Sequence, residues 1–129
     1  MDCVFCKIVD GTIPSMKLYE DDLVMAFLDV NPDSDGHTLI IPKNHYKDIY
    51  DLPDEILTHV YKIARKIGGE LTLKLGCDGI SYLQNNGAVQ EVKHYHLHVK
   101  PFYNNKDSLK VIKNKSLIND PQTIYEKLK

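Results

Sequence analysis

The sequence predicts a single α+β domain: a five-stranded, mostly antiparallel sheet with one main helix and a short N-terminal helix. Three observations lead there. Five short apolar runs are bounded by acidic, Asn/Gly or Pro-containing turns. One stretch, residues 54–75, repeats its apolar residues every three and four positions. The chain has 129 residues, 43% of them apolar and 26% charged, which is enough for one core without a disulfide framework.

Residues 2–10 make a short helix, with Asp2 as its cap and Gly11 just past its end. KLYE at 17–20 and LVMAFLDV at 23–30 form a strand pair across the tight acidic turn Asp21-Asp22. Residues 31–36 are a loop. His37 to Ile41 is a third strand, stopped by Pro42 because proline lacks the ladder donor. The main helix opens with Pro53-Asp54-Glu55, proline taking the first helical position and the acids facing the positive end of the dipole. Ile56, Val60, Ile63, Ala64, Ile67, Leu71 and Leu75 line its apolar stripe, and Gly76 ends it. Gly68-Gly69 within it cost about 1 kcal/mol each relative to alanine, so a kink or close packing is expected there. Residues 79–84 and Val92 to Val99 are the last two strands, on either side of the loop Asn85 to Gln90. The domain spans residues 1–103. A Lys/Asn-rich tail, 104–129, ends in a helical turn from Pro121 to Leu128.

The net charge of −2 argues against nucleic acid or a membrane surface as partner. The tail alone is +3, with six lysines against three acids. Arg65 is the sole arginine, so any phosphate site must rely on backbone amides, histidine and lysine rather than a guanidinium fork. Three cysteines and charged residues from Asp2 onward fit a reducing cytoplasm better than secretion.

The most informative segment is His94-Tyr95-His96-Leu97-His98-Val99-Lys100. On a strand the three histidines share one face, about 6.6 Å apart, and Tyr95, Leu97 and Val99 share the other. Such a row reads as a polar strand face, as a three-histidine zinc site, or as a phosphate-handling site, which fits best. A neutral imidazole is a good nucleophile near pH 7, and a covalent phosphoramidate splits one hard displacement into two easier ones. Cys3-x-x-Cys6 has metal-ligand spacing and reads equally as a redox pair or as two small buried residues. His59 on the main helix and Cys77 after it read as a surface histidine and a buried thiol.

These residues resemble the histidine triad (HIT) superfamily, whose signature is His-φ-His-φ-His-φ-φ with φ apolar. The likeness runs from Val4-Phe5-Cys6-Lys7-Ile8 through Ala26-Phe27-Leu28-Asp29 and Gly36-His37-Thr38 to Gln90-Glu91-Val92-Lys93-His94, about residues 3–103. It is greatest to the HINT branch in its bacterial form with an N-terminal Cys-x-x-Cys.

The resemblance implies that His96 attacks the α-phosphate, that His98 contacts the phosphate and assists the leaving group, and that His37 supports the triad. It implies Asp29 on the ribose hydroxyls. Val4, Phe5, Ile8, Phe27, Leu28 and Val30 match positions near base and ribose, with ordinary core as the alternative. Asn85, Gln90 and the amide of Val92 match phosphate-side positions. Cys3, Cys6, His45 and His94 would hold a structural zinc, with no metal required for the chemical step. The implied activity is that of a nucleotide phosphoramidase or nucleotidyl hydrolase acting on purine nucleotides; the alternatives are a diadenosine polyphosphate hydrolase and a nucleotide-binding adaptor. The implied assembly is a homodimer with joined sheets and the C-terminal segment near the partner's pocket. Two positions depart from the pattern. Lys100 replaces the final apolar residue, placing the strand's exit to solvent one residue sooner or a snorkelling lysine there. The 85–90 loop is about two residues short and has Val89 in place of a glycine, which narrows the backbone's approach to phosphate.

Overall fold

The structure, a computed structural model, describes residues 2–105 and 114–129. Its elements are α1 (Val4–Val9), β1 (Lys17–Glu20), β2 (Val24–Leu28), β3 (Thr38–Pro42), α2 (Asp54–Leu75), β4 (Gly79–Gln84), β5 (Leu97–Phe102) and α3 (Pro121–Leu128). The strands form one sheet in the order β1-β2-β3-β5-β4, every pair antiparallel. Short 3₁₀ turns cover Gly87–Val89 and Lys115–Leu117. No helix among the described residues is long and apolar enough to cross a membrane.

Period-two alternation divides the sheet between two cores. Val24, Ala26, Ile40, Leu97 and Val99 pack under the stripe of α2. Met25, Phe27, Leu39 and Ile41 point to the other face, where Cys3 and Phe5 from the start of the chain cover them. The site lies on this second face.

Several boundaries differ from the sequence expectation, each for an identifiable reason. The cap of α1 is Cys3 rather than Asp2, its Sγ accepting the Cys6 amide at 3.4 Å. Pro53 is the cap of α2 rather than its first helical residue, because its ψ of 147° is extended. Pro42 ends β3 from inside the strand, opposite Val24, and its carbonyl is used elsewhere. The largest difference is β5, which runs from Leu97 to Phe102 instead of Val92 to Val99. Residues 94–96 are held by side chains and by the Tyr95 amide donating to the Tyr46 carbonyl at 2.6 Å, while pairing to β4 carries the strand on to Phe102. Gly68 proves to be a close-packing site: a Cβ there would lie 2.1 Å from the Tyr82 hydroxyl. Gly76 closes α2 in the left-handed region at φ 64°. At the C-terminus, α3 is a two-turn helix with every residue exposed.

Asp21 is the fastener of the β1–β2 turn. Its Oδ1 accepts the amides of Leu23 and Val24 at 2.8 and 2.9 Å. Its Oδ2 accepts the Tyr19 hydroxyl at 2.6 Å and the Nε2–H of His59, so the residue that read as a surface histidine pins α2 to this turn. Burial raises the Asp21 pKa, but these donors outweigh it and hold the carboxyl well below its ordinary range. An Asp21→Ala variant is therefore expected to lose about 1–3 kcal/mol in urea unfolding at pH 7. The folded pKa lies below the unfolded value of about 3.9, so this contribution is full above about pH 5 and fades as pH falls. The gap between wild type and variant should narrow by pH 3; a constant gap would show that the carboxylate charge is irrelevant.

Candidate active site and metal cluster

Tyr95, Leu97 and Val99 are completely buried under α2, which commits the alternate residues His94, His96, His98 and Lys100 to the opposite face. The β3–β5 register sets Leu39 against His98 and Thr38 against Val99, so His37, just before β3, reaches the same row. Phe5 of α1 lies edge-on to His96, with ring centroids 5.0 Å apart, and the His96 and His98 rings are 4.9 Å apart.

Hydrogen-bond partners with only one possible role fix the proton on each imidazole. A carbonyl can only accept, so His94 donates from Nε2 to the Pro42 carbonyl at 2.8 Å and keeps its lone pair on Nδ1. His96 donates from Nδ1 to the His94 carbonyl at 2.8 Å, leaving the lone pair on Nε2. A backbone amide can only donate, so the Asp33 N–H at 3.0 Å makes His37 Nδ1 an acceptor. His37 then donates from Nε2 to His98 Nδ1 at 2.9 Å, which puts the remaining His98 proton on Nε2. The row thus offers a bare nitrogen at His96 beside an N–H at His98.

Burial keeps the row neutral. It pushes the His98 pKa down to about 4, assisted by the neighbouring His96 and His37, and lowers those of His37 and His96 as well. Asp29 Oδ2 stands 3.6 Å from His37 Nε2 and favours the charged form there, but desolvation is the larger effect.

His96 and His98 open into a cavity of about 720 Å³, within the usual range for small-ligand sites. Phe5, Ile8, Phe27, Leu28 and Val4 form its apolar side. Asp29 and Val30, just past the end of β2, line it as well, as do Asn85 and Val92. Gln90 is absent from the lining: it is 3% exposed, and its side-chain amide donates to the Lys47 carbonyl at 2.7 Å. The short 85–90 loop is braced from behind, with Lys93 Nζ donating to the carbonyls of Gly87 and Gln90, and Val89 turns into the cavity. Sequence reasoning did not single out Asp33 and Glu91 as site residues, yet both line the cavity. Lys100 lines it as well and pairs with Asp33 at 2.6 Å, on a strand that continues to Phe102 rather than ending at the lysine. The alternation that gathers the histidines was sufficient to place Lys100 beside them.

A second cluster lies under the first histidine. Cys3 Sγ is 3.4 Å and Cys6 Sγ 3.6 Å from His94 Nδ1, and Cys6 Sγ is 3.4 Å from His45 Nδ1. All four ligand atoms fall within 4.8 Å of one another. A tetrahedral ion bonded at about 2.3 Å to sulfur and about 2.1 Å to nitrogen spans S···N edges of about 3.6 Å, so the donors fit a metal ion. The Pro42 carbonyl turns the lone pair of His94 toward that centre, a typical outer hydrogen bond for a ligating histidine. Without a metal, burial and the Cys3 thiol raise the Cys6 pKa to about 11.

A family model described as the HIT domain matches residues 10–105. The chain belongs to the HIT family. Among similar HIT proteins, an adenosine 5'-monophosphoramidase of Saccharomyces cerevisiae is 44% identical over 109 residues, 83% of this chain and 66% of that one. A HIT family crystal structure from Bacillus subtilis superposes with a TM-score of 0.86 at 37% identity, covering 99% of this chain and 95% of that one. The crystal structure of a zinc-bound histidine triad protein from Mycobacterium smegmatis superposes with a TM-score of 0.80 at 38% identity, covering 88% and 84%. The expected five-stranded α+β sheet is thus the fold of the HIT family.

Proposed function

We propose that this HIT protein is a nucleotide phosphoramidase or nucleotidyl hydrolase acting on purine nucleoside 5'-monophosphate derivatives. The observation that carries the reading is the proton placement on the row: His96 holds Nε2 unprotonated at the cavity while its Nδ1–H is tied to the His94 carbonyl. The name of the yeast relative points to the same substrate class.

The nucleoside occupies the apolar side, between Phe5 and Ile8 of α1 and Phe27 and Leu28 of β2, with the ribose hydroxyls on the Asp29 carboxylate. His96 Nε2 attacks the α-phosphorus; the P–N bond to His96 forms as the bond to the leaving amine breaks. The nitrogen that departs takes up one proton, and His98 Nε2–H is the donor facing it. Water then attacks phosphorus and breaks the bond to His96, yielding the monophosphate and returning one proton. The His94 carbonyl keeps hold of Nδ1–H throughout and balances the positive charge that imidazole acquires when phosphorylated. Asn85 and the Val92 amide supply neutral donors on the phosphate side, and Gln90 supports that wall from behind.

In this reading Cys3, Cys6, His45 and His94 hold a zinc ion. Four protein donors complete a tetrahedron, so zinc there ties α1 to the row and gives the site rigidity. The same reading includes a homodimer joined at β4, one of the two sheet-edge strands, whose Tyr82 and Leu83 are 43% and 40% exposed.

With adenosine 5'-phosphoramidate as substrate, His96→Ala is expected to lower kcat by a factor on the order of 10³ or more while AMP still binds. Turnover undiminished in that variant would remove the nucleophile from the account. Elemental analysis of protein purified without chelator should give about one zinc per chain, falling to near zero in Cys3→Ser/Cys6→Ser; a metal-free wild type would contradict the assignment. Light scattering should return twice the 14.8 kDa chain mass, and a monomer across the micromolar range would rule out the β4 interface.

A further inference from the structure

The proton placement on His37 and His98 begins at one backbone amide. The Asp33 N–H sits in the 29–36 connection, and its 3.0 Å bond to His37 Nδ1 is what compels His37 to donate toward His98. The Asp33 side chain is 54% exposed, so its own packing does little to keep that amide in place. A brace comes from β5: Lys100 Nζ donates to Asp33 Oδ2 at 2.6 Å, with only 18% of the lysine side chain exposed. Lys100 follows His98 by two residues on the same face, so a single strand carries both the imidazole and the clamp on the residue that orients it. The histidine triad signature has an apolar residue at this position, which could not make the bond.

We infer that Lys100 is a positioning residue: by gripping Asp33 it holds the amide on His37, and so keeps His98 in the tautomer that presents Nε2–H to the leaving group. The chain of contacts is Lys100 Nζ to Asp33 Oδ2, Asp33 N–H to His37 Nδ1, and His37 Nε2–H to His98 Nδ1. Lys100 itself need touch neither substrate nor phosphorus. The inference rests on the phosphoramidase reading and gives it a substrate preference: the clamp matters for leaving groups that must be protonated and is idle for those that depart as stable anions.

The test compares two adenosine monophosphate derivatives, the phosphoramidate, whose nitrogen needs a proton, and the p-nitrophenyl ester, whose phenolate does not. Lys100→Leu and Asp33→Ala should each lower kcat on the phosphoramidate about tenfold more than kcat on the ester. Lys100→Arg should restore most of the loss. Long-range proton–nitrogen NMR of the imidazoles supplies a readout independent of turnover: His37 Nδ1 is a pure acceptor in wild type and should become tautomer-averaged in Lys100→Leu. Equal losses of kcat on both substrates or unchanged His37 signals would each overturn the inference. Should Lys100→Leu fold poorly, Asp33→Ala and Lys100→Arg give the same contrast. Failure of the phosphoramidase reading is separately visible, because His96→Ala would then turn over the phosphoramidate as wild type does.

Discussion

The alternation of residues 94–100 between two faces is the constraint on which the site depends. Burying Tyr95, Leu97 and Val99 beneath α2 removes three large apolar surfaces from water, at roughly 1.5–3 kcal/mol each. That burial leaves the intervening residues no choice of face. A shift of one residue in register would bury the histidines under α2 and expose Leu97, so the core on one side enforces the chemistry on the other. The cost is that His37, His94 and His96, at 0–6% exposure, and the half-buried His98 must satisfy their polar atoms largely inside the protein.

The way they are satisfied differentiates four similar rings. His94 and His96 each give their proton to a main-chain carbonyl but from opposite nitrogens, so one lone pair faces two thiols and the other faces the cavity. His37 takes the reverse arrangement, accepting from an amide and donating to its neighbour. Desolvation then keeps the row from protonating in the physiological range, because nearby positive charge would have to be carried without water. Backbone atoms, fixed by the sheet and by residues 42 and 94, thereby act as the selectors of tautomer.

Much of this was legible in the sequence. The alternation of His94, His96 and His98 with apolar residues, the helical stripe over 54–75, and the pairing of Cys3 and Cys6 at metal-ligand spacing all follow from short-range periodicity. His37 and Asp29 were recoverable through family resemblance, since nothing local marks a histidine at the start of one strand as the partner of another sixty-one residues away. Contacts that depend on tertiary placement stayed hidden: the Asp33 amide on His37, the Lys100 clamp, the His59 bond to Asp21 and the inward turn of Gln90. The start of β5 was misjudged for a related reason. Residues 92–96 have the composition of a strand, but their hydrogen bonds go to Tyr46, Pro42 and their own side chains rather than to a ladder.

The central claim is that the bare Nε2 of His96 becomes bonded to phosphorus during turnover. Rapid acid-free quenching of wild-type protein with a slow adenosine monophosphate ester, followed by tandem mass spectrometry of the peptide spanning residues 94–100, addresses it directly. The account predicts one adenylyl group on His96, appearing before steady state and absent from His96→Ala. An adduct on His98, His94 or a lysine, or a steady state reached with no adduct on the protein, would contradict it.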